Sequence, residues 1–118
     1  MIPFRGVRRT IANRLRQSIN AAVHFTVMDE ADVSALDVVR KRTAASSGEK
    51  LSYLPFVISA LSRALREVPA INSIVDDENG QIIRHSAIHI GMAADTEHGL
   101  TVPVLSDADT MGVLQIVL

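Results

Sequence analysis

From residue 7 to about residue 22 the apolar side chains Ile11, Leu15 and Ile19 recur at every fourth position, with Ala12 and Ala22 beside them and arginines or polar residues elsewhere. That period predicts an amphipathic helix. The period then changes: Phe25, Val27, Asp29 and Ala31 alternate with His24, Thr26, Met28 and Glu30. Alternation of this kind, rich in β-branched residues, predicts a strand over 24–33. Ser34 opens a Ser-x-x-Asp variant of the capping box, and Leu36, Val39 and Ala44 can share one face of a helix ending near Ala45. Residues 46–50 read as a loop. Ser52 can cap the next helix, and Pro55 falls in its first turn, where the missing N–H removes only a donor without a helical partner. Leu54, Val57, Ile58, Leu61, Ala64, Leu65 and Val68 then form a broad apolar stripe opposite Arg63, Arg66 and Glu67.

Pro69 stops that helix. Asn79-Gly80 is a strong hairpin signal because both residue types tolerate positive φ, so 71–75 and 81–85 are expected to pair antiparallel. Ile88, Ile90 and Met92 alternate with His89, Gly91 and Ala93 in a further strand, and a polar turn over 95–99, with His98 solvated in it, leads into a strand over 100–105. Pro103 in that strand marks an edge, a bulge or an end. A last helix is expected from about Thr110 to the end of the chain, where the apolar Val113, Leu114, Ile116, Val117 and Leu118 have no following element to pack on. Hairpins, rather than regular strand–helix alternation, predict an α+β fold with a mixed or antiparallel sheet covered on one face.

Composition narrows the function classes. The chain has 118 residues, 47% hydrophobic and 21% charged, a net charge of −1 and no cysteine, the profile of one globular domain. Without cysteine there is no disulfide framework, thiolate zinc site or cysteine nucleophile. Aromatics are only 3%, too few for a platform on which single-stranded nucleic acid stacks. No apolar run approaches the roughly 18 residues of a membrane span, and the N-terminal residues lack a signal-peptide apolar region. The chain is therefore expected to be cytoplasmic, with neither membrane nor nucleic-acid partners.

The balanced charge hides an asymmetry. Arg5, Arg8, Arg9, Arg14 and Arg16 precede the first acid, while Asp29, Glu30 and Asp32 follow soon after. Arg8 and Arg9, near a helix start, can meet a phosphate with both guanidinium forks; a solvated helix face explains the same charges. A nucleic-acid arm is disfavoured by the nearby acids and a pI of about 6.4. Of the four histidines, His24 stands at an element boundary, and His85 and His89 are too far apart along a strand to clasp one ion without a third ligand. No metal site is expected. Asp76, Asp77 and Glu78 lack the alternating spacing of a calcium loop.

The order of motifs is more specific than any one of them. Gly6-Val7-Arg8-Arg9-Thr10-Ile11-Ala12, Arg14-Leu15, Ser18, His24-Phe25 and Asp32-Val33-Ser34-Ala35-Leu36 come first. Leu51-Ser52-Tyr53-Leu54-Pro55-Phe56, Ala60-Leu61 and Pro69-Ala70-Ile71-Asn72 follow, then Ile90-Gly91-Met92-Ala93 and Gly99-Leu100-Thr101-Val102-Pro103-Val104. Together they closely resemble the catalytic domain of the dihydrolipoamide acyltransferases, the E2 components of the 2-oxoacid dehydrogenase complexes. The resemblance implies an α+β two-layer fold like that of chloramphenicol acetyltransferase, assembled as a homotrimer and then a larger core. It implies transfer of an acyl group between a dihydrolipoyl arm, carried on a separate lipoyl domain, and coenzyme A, together with the other components of the complex. By position in the matched motifs, Arg8, then Arg9, are the residues expected to bind coenzyme A phosphates or make the trimer contact, and His24 is a candidate channel residue. Acetyl, succinyl and branched-chain enzymes share these motifs.

The sequence also departs from the family. Its catalytic base belongs to a His-x-x-x-Asp-Gly motif near the end of the domain, and none of His24, His85, His89 and His98 is followed by Asp-Gly at that spacing. Val23 replaces the usual Pro before His-Phe, and Leu15 stands where Met is common. Residues 1–118 are thus expected to form a partial catalytic domain without its C-terminal half and without a catalytic residue of its own. The alternative is a non-catalytic assembly or binding module with the same fold.

Overall fold

The computed structural model describes residues 3–97 and 99–116. The expectations for His98, Val117 and Leu118 lie outside the described residues. The chain divides into two compact units, one up to Asp32 and one from Val33 onward.

The first unit is built on α1, Val7–Ala21, as the four-residue apolar period predicts. Gly6 precedes it at φ 67° and ψ −145°, a region only glycine enters readily, and the Thr10 N–H donates to the Gly6 carbonyl at 3.1 Å. Residues 23–33 depart from expectation. Their backbone has no ladder partner among the described residues, and Phe25 and Val27 are 86% and 78% exposed. Alternation specifies which faces a strand would present; it cannot supply the second strand whose carbonyls and N–H groups a ladder needs.

The second unit opens with α2, Ser34–Ser47. The helix begins at Ser34, with Val33 as its flanking residue, so Ser34 does not occupy the capping position that the Ser-x-x-Asp spacing predicts. Its end is a left-handed Gly48 at φ 74°, whose N–H donates to the Ala44 carbonyl at 3.0 Å. α3, Leu54–Glu67, carries Pro55 in its first turn, and the Leu54 N–H donates to Ser52 Oγ at 3.3 Å. The expected hairpin is present as β1, Ser73–Asp76, against β2, Gln81–Arg84, with Ile74 opposite Ile83 and Val75 opposite Ile82. Its turn differs from a two-residue Asn-Gly turn. Only Gly80 has positive φ, 60°, and Asp76 closes the loop by accepting from the Asn79 backbone N–H at 3.1 Å and side-chain amide at 2.8 Å.

β3, Ile90–Gly91, pairs antiparallel with β6, Val104–Leu105, and β4, Ala94–Thr96, pairs with β5, Gly99–Thr101. The single strand expected over 100–105 is therefore divided at Val102-Pro103 between two ladders. Pro103 has no N–H to give, but its carbonyl accepts from Met92 at 3.0 Å. The expected last helix is instead two 3₁₀ turns, Ala108–Thr110 and Val113–Ile116. Gly112 separates them; its N–H is taken by Gln115 Oε1 at 2.7 Å, and glycine is a poor helix former.

The core of this unit is small. Ile58 on α3 packs with Met92, Ala108 and Ile116, flanked by Ile90, Leu105 and Met111. Ser62 is also buried and satisfies its hydroxyl by donating to the Ile58 carbonyl at 2.8 Å. Much of the α3 stripe is uncovered, with Val57 55% and Leu61 44% exposed, while Leu65 is half-buried. No helix among the described residues is long and apolar enough to cross a membrane.

Candidate functional site

The arginines of α1 are not equivalent. Residues seven apart on a helix project within about 20° of one another, so Arg8 lies in line with Leu15, inside the row formed by Ile11, Leu15 and Ile19. Arg9 falls in line with Arg16, on another side. A solvated face accounts for Arg9 and Arg16. It does not account for a guanidinium set among exposed apolar side chains that have no cover within their own unit. Neither Arg8 nor Arg9 has an ion pair among the described residues.

His24 follows the other end of the same helix. Its Nε2 lies 3.3 Å from Ser18 Oγ, one turn before the helix ends, so the ring folds back onto the last turn. At 1.5 Å per residue the helix holds Arg8 about 20 Å from that end. The three residues singled out by sequence are thus placed at two ends of one rod, and α1 does not gather them into one cluster.

In the second unit a different group of side chains is drawn together. Asp37 on α2 accepts from Arg40 Nη2 at 2.8 Å and pairs with Lys41 Nζ at 2.7 Å, and it accepts from the Tyr53 hydroxyl at 2.6 Å. Arg40 stacks 4.8 Å from the Tyr53 ring centroid and donates to the Leu51 carbonyl at 2.9 Å. The hydrogen bonds from Lys41, Tyr53 and Arg40 hold the Asp37 carboxyl well below the usual carboxylate range. The Asp37 carboxylate is engaged by Arg40, Lys41 and Tyr53 together, so this cluster ties the start of α3 to α2. The three- and four-residue spacings from Asp37 to Arg40 and Lys41 were visible in the sequence; the Tyr53 partnership had no local signal.

A second arrangement surrounds an open hollow of about 390 Å³ lined by Asn72, His85, Ser86, Ala87 and His89. Asn72 Nδ2 donates to the carbonyls of His85 and Ala87, both at 3.1 Å, and the Asn72 carbonyl accepts from the His85 N–H at 2.9 Å. One side chain thereby fixes the segment that carries both histidines. His89 Nδ1 accepts from the Asp107 N–H at 3.0 Å, and Asp107 sits at φ 50°, a conformation more tolerable for aspartate than for most residues. The same turn is anchored by Ala108 N–H on the Ile88 carbonyl at 2.8 Å and by the pairing of Arg66 with Asp109. Among the described residues no group of three or more potential ligands could hold a metal ion.

Comparison with known proteins places this architecture. The family model for the 2-oxoacid dehydrogenases acyltransferase catalytic domain matches residues 1–118. The chain is 44% identical over 114 residues to the dihydrolipoyllysine-residue acetyltransferase component of the pyruvate dehydrogenase complex of Bacillus subtilis, covering 94% of this chain and 26% of that protein. It is 41% identical over 111 residues to the lipoamide acyltransferase component of the branched-chain α-keto acid dehydrogenase complex of Pseudomonas putida, covering 92% and 26%. Among solved structures, dihydrolipoamide acetyltransferase of Azotobacter vinelandii superposes with a TM-score of 0.88 at 32% identity, over 99% of this chain and 49% of that one. A truncated catalytic core of the 2-oxoacid dehydrogenase multienzyme complex of Thermoplasma acidophilum gives 0.89 at 29% identity, over 99% and 54%. The chain therefore spans about half the length of the solved cores and about a quarter of these curated relatives. With the match running the whole length of the sequence and the α+β fold shared at this level, the chain belongs to the family of 2-oxoacid dehydrogenase acyltransferase catalytic domains.

Proposed function

We propose that these residues form part of the catalytic domain of a cytoplasmic dihydrolipoamide acyltransferase, which moves an acyl group between a dihydrolipoyl-lysine and coenzyme A. The carrying observation is the family match over residues 1–118 together with the 0.88 superposition on a dihydrolipoamide acetyltransferase. In the proposed reaction a general base takes the proton of the coenzyme A thiol, and the thiolate attacks the thioester carbonyl carbon of the acylated dihydrolipoyl arm. The tetrahedral oxyanion collapses, the carbon–sulfur bond to the dihydrolipoyl group breaks, and the departing thiolate takes the proton. No histidine of this chain stands in His-x-x-x-Asp-Gly, so the base is supplied from outside these residues and the chain's share is structure and binding.

Arg8 is the residue we assign to the coenzyme A phosphates or to the subunit contact, because it alone of the pair stands in the apolar row of α1. Arg9 is second, and His24, held against Ser18, is a channel residue at the other end of the helix. The exposed apolar side chains of α1 and α3 favour assembly into a homotrimer or larger core. There the domain would meet a lipoyl domain and the other components of the complex. Arg8→Ala in the full-length parent is expected to raise the coenzyme A concentration needed for half-maximal rate by about tenfold, the loss of one charge-assisted contact. An unchanged requirement would remove the binding role.

The missing motif and the uncovered α3 face also favour a second reading, a non-catalytic assembly module of the same fold. It predicts oligomerisation of the full-length parent without acyl transfer.

A further inference from the structure

We infer that the hollow beneath the β1–β2 hairpin binds an oxyanion-bearing small molecule, a phosphate or carboxylate group, through the ring N–H groups of His89 and His85. This goes beyond the acyl-transfer reading and does not depend on it. His89 Nδ1 is occupied as an acceptor by the Asp107 N–H at 3.0 Å, so the neutral ring carries its proton on Nε2. That tautomer has two consequences. Nε2 has no lone pair to give a metal ion; a metal-bound imidazole would need the opposite arrangement, with the outer nitrogen donating to a carbonyl or carboxylate. Nε2–H is instead a fixed donor on a ring that lines the hollow.

The remaining lining groups agree. His85 and Ser86 can each donate, and neither ring has another hydrogen-bond partner among the described residues. Both Nδ2 hydrogens of Asn72 are spent on the carbonyls of His85 and Ala87, so Asn72 positions the donors without competing for the ligand. None of the described lining residues carries a carboxylate; the Asp107 side chain lies outside the lining, with its Oδ1 3.9 Å from His89 Nδ1, the ring nitrogen that does not donate. Its volume of about 390 Å³ falls in the range of small-molecule sites. The 3₁₀ turn that orients His89 is itself pinned by Ala108 on Ile88 and by Arg66 on Asp109, which makes the donor geometry a property of the fold.

The test is nitrogen-15 NMR of the imidazole rings in the protein, with inorganic phosphate and acetate added in separate titrations at ionic strength held constant with chloride. The expected result is an Nε2–H tautomer for His89 and saturable shifts of the His85 and His89 ring signals. Phosphate acting where acetate does not identifies a phosphate-bearing ligand, and the reverse a carboxylate. His89→Leu should weaken the interaction by about tenfold. If that variant fails to fold, His85→Phe, which keeps both backbone hydrogen bonds of residue 85 to Asn72, should weaken it similarly. An Nδ1–H tautomer for His89, or ring shifts no larger than chloride alone produces, overturns the site.

Discussion

Truncating Ile58 and Leu61 to alanine separates the part of α3 that is buried by this chain from the part that is not. Ile58 is 3% exposed in the core with Met92, Ala108 and Ile116, whereas Leu61, one turn on, is 44% exposed. Ile→Ala removes three methylene-sized groups worth about 0.8 kcal/mol each in transfer, and the cavity left behind brings the cost to about 3 kcal/mol. For Leu61 roughly half the surface is already in water, so the same truncation should cost about 1.3 kcal/mol within the chain, with little cavity. Urea unfolding followed by circular dichroism gives both values if the slopes match wild type. A cost at Ile58 below about 1 kcal/mol would refute the assignment of this cluster as the core. Equal costs at both positions would show that the Leu61 face is covered in solution, and a concentration-dependent Leu61→Ala defect would trace that cover to subunit association.

Other consequences follow from the same geometry. Gly91→Ala would place a Cβ 3.0 Å from Val102 Cγ1; crowding in the β3–β6 region should cost about 1–2 kcal/mol by thermal or urea unfolding, relieved in part by Val102→Ala. Gly48→Ala meets no atom within 4 Å but forces alanine to φ 74°, so a loss of about 1 kcal/mol from backbone strain alone is expected, whereas a neutral result would contradict the left-handed cap. Asp37 has a folded pKa lowered by Lys41, Tyr53 and Arg40. Its stabilisation is therefore present above the unfolded carboxylate value and fades as pH falls below it toward the depressed folded value. Asp37→Asn should flatten the acid limb of stability against pH, and an unchanged limb would show that the cluster is not linked to folding.

The three helices and the β1–β2 hairpin were legible because their signals are local: apolar period, Pro55 in a first turn, Pro69 as a stop, Asn79-Gly80 as a turn. What failed depends on distant chain. Residues 24–33 have the alternation of a strand but no second strand among the described residues, and 100–105 divides because β6 finds β3 while β5 finds β4. The last helix is broken by a Gly112–Gln115 bond that competes with helical pairing. The site divides the same way. Arg8 could be placed in the apolar row of α1 from spacing alone, but the role of Asn72 as a brace and the tautomer of His89 require contacts with residues 85–87 and 107. Those contacts exist only once the chain has folded.

If these residues are part of an acyltransferase catalytic domain and bind without supplying the base, acyl transfer from acyl-coenzyme A to dihydrolipoamide is the decisive assay. The 118-residue chain and the full-length parent are assayed side by side. Transfer by the parent and none by the chain alone is expected. Turnover by the chain alone, or none by a folded parent, would contradict that reading.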